Sequence, residues 1–293
     1  MVEILIGPAS KELGLKVAQE LNLKAILVES KVFPDGESYI RIPEEEIDEE
    51  LILIQSTYPP QNKHLIELFL MLDAAKDLGA EKIITVVPYL AYARQDKRFR
   101  AGEAISIKVL AKLIKEAGAS KFVTFNIHKE KILEFFNIKS INLSGASAIG
   151  NYFLQKEVRH PYVIAPDKGA YQLAMEIAKI LNAECAYFEK KRDKVTGVVE
   201  TEFKELNIKD KTAIIVDDII STGSTIINVA EILKKQGAEK VYAVCVHPIL
   251  IENAQNRMKL AGVDEVLGTD CVPTEVSKIT VASILAKTLR KEF

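Results

Sequence analysis

The sequence predicts an α/β protein of two tandem domains, each a mainly parallel sheet flanked by helices. Three observations carry this expectation. A glycine, a short charged turn and an apolar strand recur as "GAEKIITVVPY" from Gly79, "GASKFVTFNIH" from Gly118 and "GAEKVYAVCVHP" from Gly237. Each copy follows an amphipathic helix (Leu65 to Leu78, Ile105 to Glu116, Ile226 to Lys235), so the glycine falls where a helix end favours positive φ. The chain's 293 residues are about twice a common domain length.

The remaining elements fall around these units. Apolar runs at 2–6 and 51–55 fit strands of a first series, and runs at 161–165, 184–188 and 212–216 fit a second. Buried strands alternating with helices make a parallel sheet. No Pro/Gly/Ser-rich linker divides the chain, and the best boundary lies at Leu143-Ser144-Gly145. That gives an N-terminal domain over 1–144 and a C-terminal domain over 145–293, with a last helix, about Val281 to Lys291, able to pack on either.

The 39 basic and 41 acidic residues leave a net charge of −2, which gives no bulk attraction to nucleic acid or an anionic membrane. Any anion site must be local. Cys185, Cys245 and Cys271 are far apart and unpaired in spacing, so they read as small buried side chains, not a disulfide framework or zinc site. With no signal-like start and no apolar run of about 18 residues, the expected location is cytoplasmic.

In open parallel sheets, ligands gather beyond the carboxyl ends of strands. The relevant loops follow Val87, Phe125, Ala165, Phe188 and Val216. After Val216 comes "DDIISTGST", read as a loop over 217–225 that opens a helix. Asp217 and Asp218 can accept hydrogen bonds from vicinal hydroxyls, and Ser221, Thr222, Gly223, Ser224 and Thr225 can wrap a phosphate with hydroxyls and unpaired backbone amides. The alternative is an acidic strand end followed by an N-cap at Thr222. Acids, hydroxyls and a helix start at one place point to a ligand with both sugar and phosphate.

"VDDIISTGST" resembles the phosphoribosyl-pyrophosphate motif shared by type I phosphoribosyltransferases and ribose-phosphate pyrophosphokinases. "FPDGE" at 33–37, "YARQDKR" at 92–98, "NIH" at 126–128, "PDKGA" at 166–170 and "KKR" at 190–192 resemble the other signatures of the pyrophosphokinase family, in order and across nearly the whole chain. This resemblance implies two phosphoribosyltransferase-like domains and transfer of the β,γ-diphosphoryl group of ATP to the anomeric hydroxyl of ribose 5-phosphate. Asp217 and Asp218 then hold the ribose hydroxyls and Ser221 to Thr225 its phosphate. Lys190 and Arg192 act in catalysis, with Lys191 intervening. His128 and Asp167 contact the Mg²⁺ of Mg·ATP, and Arg94 and Gln95 bind ATP. Phe33, Asp35 and Glu37 reach the adenine bound by a neighbouring subunit, so a homo-oligomer with a shared ATP site is implied. Ala170 departs from the pattern, which commonly has glycine there.

The residues themselves leave room for blander readings: "RQDKRFR" and "KKRDK" as solvated charge runs, His128 as a structural histidine, and Pro34-Asp35-Gly36 as a plain turn. A phosphoribosyltransferase and a non-catalytic regulatory homologue are the alternative functions. Two domains and "RQDK" argue against the first, and intact His128, Asp167, Lys190 and Arg192 against the second. No G-x-x-x-x-G-K-[ST] segment exists to hold a triphosphate in a P-loop.

Overall fold

A computed structural model of the chain describes residues 2–192, 199–201 and 205–293, with the backbone alone for 190–192 and 199–201. The chain divides into two units, one of residues 1–143, 271–273 and 280–293, the other of residues 144–270 and 274–279.

The first unit begins β1 (Val2–Ile6), α1 (Lys11–Leu21), β2 (Ala25–Leu27), then an antiparallel hairpin of β3 (Glu29–Val32) and β4 (Ser38–Arg41). It continues β5 (Glu50–Ile54), α2 (Gln61–Asp77), β6 (Lys82–Val87), α3 (Ser106–Glu116), β7 (Ala119–Phe125) and β8 (Lys139–Leu143). Six strands form one parallel sheet in the order β2-β1-β5-β6-β7-β8, and the hairpin stands apart as its own two-stranded sheet. Leu5, Leu53, Leu68, Leu72, Ile114 and Phe122 lie in its core, where Phe122 stacks on Phe136 at 3.9 Å between centroids. Each fully buried leucine contributes about 1.5–3 kcal/mol of transfer free energy.

The second unit contains α4 (Ala146–Gln155), β9 (Pro161–Ala165), α5 (Tyr171–Leu181), β10 (Glu184–Tyr187), a short antiparallel pair of β11 (Lys190–Arg192) and β12 (Val199–Thr201), and β13 (Thr212–Ile220). Then come α6 (Ser224–Lys235), β14 (Lys240–Pro248), α7 (Ala254–Leu260) and β15 (Glu265–Gly268). Its parallel sheet runs β10-β9-β13-β14-β15, with Ile164, Ile215, Val229, Leu233 and Val241 buried between sheet and helices. The last helix, α8 (Ala282–Leu289), belongs to the first unit. It packs on α1, where Ser283 Oγ donates to Glu20 Oε1 at 2.5 Å and Arg290 donates to the Glu20 carbonyl.

The repeated glycines take the conformation their position demands, with φ of 112° at Gly79, 131° at Gly118 and 87° at Gly237, a region other residues reach only with strain. One boundary needs correction. Asp217 and Asp218 lie inside a strand, not on a loop after it, because Ile219 and Ile220 continue the ladder opposite His247 and Pro248 and bury Ile220. The loop begins only at Ser221. All three cysteines remain thiols: Cys245 and Cys271 are buried, and burial pushes the Cys185 thiol up to about 11. Among the described residues, no helix is long and apolar enough to cross a membrane.

Candidate active site

The carboxyl end of the second sheet gathers acids and a helix start. At the end of β13, Asp217 Oδ1 accepts from the Asp218 amide at 2.9 Å and Asp218 Oδ1 from the Ile219 amide at 2.8 Å, so each side chain is braced against the backbone just after it. Both acids are half-buried. Burial pushes the Asp217 carboxyl well above the usual range, and the charges of Asp218 and, more weakly, Asp167 add to the shift. Asp167 comes from the loop after β9, where its Oδ1 accepts from the Gly169 amide at 2.9 Å. Asp218 and Asp167 thus both press on Asp217 with like charge, an arrangement that favours hydroxyl donors or a cation.

The chain then turns through Ser221 and Thr222 into α6. The N-cap is Gly223, not Thr222: its φ of 74° is left-handed and no side chain caps the helix. Thr222 Oγ1 instead meets Ser224 Oγ at 3.1 Å. An uncapped helix start leaves its first amides to an outside acceptor, and a phosphate satisfies several at once. Glycine is favoured here by that φ, and a Cβ on Gly223 would stand 3.1 Å from Met258 Cγ, a tight contact that the methionine side chain would have to yield to. Ala170, by contrast, sits at φ −84°, ψ −3°, which any residue adopts, and glycine's freedom is not needed there.

The backbone of Lys190–Arg192 runs as β11 against Val199–Thr201, so positions 190 and 192 share one phase of the pleat and 191 the other. Residues 193–198 of the same basic loop lie outside the described residues.

In the first unit, two strand-end loops meet. Arg94 is exposed and Gln95 half-buried in a turn after β6, where the Gln95 amide donates to the Tyr92 carbonyl at 3.2 Å. His128 is exposed in the loop after β7. Between them, Lys129 Nζ donates to Asp96 Oδ2 at 2.6 Å. The Lys129 ammonium, with a smaller contribution from His128, holds the Asp96 carboxyl below its ordinary range. The sequence alone did not single out Asp96 or Lys129 as partners, since 33 residues separate them.

Phe33 to Glu37 form the tip of the β3–β4 hairpin. Gly36, at φ 96°, donates to the Phe33 carbonyl at 2.9 Å, and the Glu37 amide donates to Asp35 Oδ1 at 3.2 Å. Phe33 is not tucked into the core. It is 39% exposed, edge-on to Tyr39 at 5.9 Å, with Lys31 Nζ 5.0 Å from its ring centroid.

The chain is similar to known proteins over nearly its whole length. The family model for the N-terminal domain of ribose phosphate pyrophosphokinase matches residues 2–118, and that for the phosphoribosyl transferase domain matches 134–277. A ribose-phosphate pyrophosphokinase of Methanobrevibacter smithii is 46% identical over 98% of this chain and 99% of its own. One of Sulfurisphaera tokodaii is 41% identical over 98% of this chain and 99% of its own. The crystal structure of phosphoribosylpyrophosphate synthetase from Mycobacterium smegmatis, 29% identical, superimposes with a TM-score of 0.86 over 100% of this chain and 98% of that one. Matched across both domains and nearly its full length, the chain belongs to the ribose-phosphate pyrophosphokinase family.

Proposed function

We propose that the protein is a ribose-phosphate diphosphokinase that converts ATP and ribose 5-phosphate to AMP and 5-phosphoribosyl 1-diphosphate. The observation that carries the reading is the end of β13, where braced acids are followed, after Ile219 to Thr222, by an uncapped helix start at Gly223. Asp217 and Asp218 orient the ribose through its hydroxyls, and Ser221 to Thr225 anchor its phosphate. The anomeric oxygen attacks the β-phosphorus in line, forming the new O–P bond while the bond from that phosphorus to AMP's α-phosphate oxygen breaks. Such a transfer depends on positioning and on neutralising charge at the phosphoryl oxygens. Lys190 and Arg192 supply that neutralisation, and Arg94 and Gln95 hold ATP by a planar cation and an amide.

Magnesium fits the donor set. A carboxylate and an imidazole suit an ion that keeps phosphate and water ligands, and among the described residues no three His, Cys, Asp or Glu side chains group to hold a metal by themselves. His128 and Asp167 are the residues assigned to it. When bound, Mg²⁺ draws charge from the phosphates.

The exposed hairpin tip supports a shared site in a homo-oligomer. Phe33, with Asp35 and Glu37 beside it, extends from a two-stranded sheet outside the main one, and these three residues are assigned to the adenine bound by a neighbouring copy.

Chromatography of a mixture of the protein with Mg·ATP and ribose 5-phosphate tests the reaction. AMP appearing only when the sugar is present supports it. ADP formed in step with ribose bisphosphate overturns it, and binding of both substrates without turnover identifies a regulatory homologue.

A further inference from the structure

Two consecutive hydroxyl residues just beyond β5 hold the segment that leads to Arg94 and Gln95. Thr57 is fully buried. Its Oγ1 donates to the Tyr89 carbonyl at 2.8 Å and accepts from the Ala91 amide at 2.8 Å, while its backbone amide donates to the same carbonyl at 2.9 Å. Ser56 Oγ accepts from the Tyr89 amide at 3.1 Å and donates to the Cys271 carbonyl at 2.7 Å. Residues 89 and 91 therefore satisfy backbone groups on side chains of the adjacent strand end. Valine fills the same space as Thr57 but leaves the buried Ala91 N–H without its acceptor, so the hydroxyl is a chemical requirement and not a packing one.

Immediately after this seam the backbone is strained. Tyr92 lies at φ 64°, in the left-handed region that a bulky residue reaches only when its surroundings over-determine it. The determinants are visible. Upstream is the Thr57–Ala91 bond, downstream the Gln95 amide donates to the Tyr92 carbonyl, and the Tyr92 hydroxyl donates to Asn62 Oδ1. The turn is thus tied twice to the 56–62 segment, and Arg94, being exposed, gains little fixation from packing of its own.

We propose that Thr57 is a positioning residue for ATP: by fixing residues 89–91 it sets where Arg94 and Gln95 present their guanidinium and amide. This rests on the assignment of that turn to ATP. Directional donors lose effect steeply when displaced, so a loosened turn weakens ATP recognition and leaves the ribose 5-phosphate loop in the other unit untouched.

Steady-state kinetics on four variants of the full chain tests this. Thr57→Val raises KM for ATP about tenfold and changes KM for ribose 5-phosphate by less than about twofold. Thr57→Ser, which keeps the hydroxyl, restores the wild-type value. Asn62→Ala, an exposed change that leaves the core intact, raises the same KM by about threefold, and it decides the matter if Thr57→Val does not fold. Arg94→Ala separates the two claims. If it leaves KM for ATP unchanged, the turn is not an ATP site and the proposal falls with it. If Arg94→Ala raises that KM but Thr57→Val and Asn62→Ala do not, or if they raise both KM values alike, the positioning role is wrong while the assignment of the turn stands.

Discussion

Replacing Asp217 by asparagine should make the ligand-free protein more stable and a poorer holder of ribose 5-phosphate. The brace from Asp217 Oδ1 to the Asp218 amide at 2.9 Å needs only an oxygen, which asparagine retains, so the exchange removes charge and little else. That charge is costly in the fold: burial, then Asp218, then Asp167 raise the carboxyl's pKa. A carboxyl raised above its unfolded value of about 3.9 binds its proton more tightly when folded. Its penalty is therefore absent below that value, grows as pH rises through the window up to the folded pKa, and is complete above it. Each unit of elevation is worth about 1.4 kcal/mol, and each kcal/mol moves Tm by about 2–4 °C in a chain of this order of size. Ligand-free melts should show Asp217→Asn above wild type at pH 8, with the gap closing as pH falls toward 4. Calorimetry at pH 8 should show ribose 5-phosphate bound about 10–100-fold more weakly, the loss of a charge-assisted hydrogen bond, and ATP nearly unchanged. A variant less stable than wild type at pH 8 would refute the claim of unrelieved repulsion. Equal losses for both ligands would reassign the acids to the metal.

Three further outcomes follow from the same geometry. Lys190→Ala and Arg192→Ala should each lower kcat by on the order of 10²–10³ with little change in KM, and Lys191→Ala, in the opposite phase of β11, should be mild; a loss confined to KM in the first two makes the strand a binding element only. Gly223→Ala meets both a φ of 74° and Met258 at 3.1 Å, so it should cost about 1–2 kcal/mol in denaturant unfolding and weaken ribose 5-phosphate; wild-type values for both would show that the turn accepts a side chain. Subunits carrying Phe33→Ala/Glu37→Ala, mixed with subunits carrying Lys190→Ala/Arg192→Ala, should recover activity absent from either alone, and verified exchange without recovery would leave the hairpin as a plain turn.

Much of the fold was legible because its signals are local. A glycine after an amphipathic helix announces both the helix end and the strand to come, and Gly79, Gly118 and Gly237 all take the positive φ this requires. β2, β8 and β15 were not legible. They are edge strands of three to five residues, and β8, "KSINL", is only partly covered, so the apolar run that marks a central strand is missing. The end of β13 was misjudged because two adjacent acids read as a loop, whereas Ile219 and Ile220 carry the ladder on. At the site, "DDIISTGST" is one continuous stretch and could be read as one feature. The Asp96–Lys129 pair and the two Thr57 bonds to residues 89 and 91 link positions 32 to 34 apart, and only the folded sheet brings them together.

The central claim is attack on the β-phosphorus of ATP, and an isotope placed in one bond tests it most directly. ATP carrying ¹⁸O in the α–β bridge is turned over with ribose 5-phosphate, and the products are analysed by ³¹P NMR and mass spectrometry. Attack at the β-phosphorus breaks the bond between that phosphorus and the bridge, so all the label should leave with AMP and none should appear in the 5-phosphoribosyl 1-diphosphate. Label retained in the diphosphate, or carried in ADP, would contradict it.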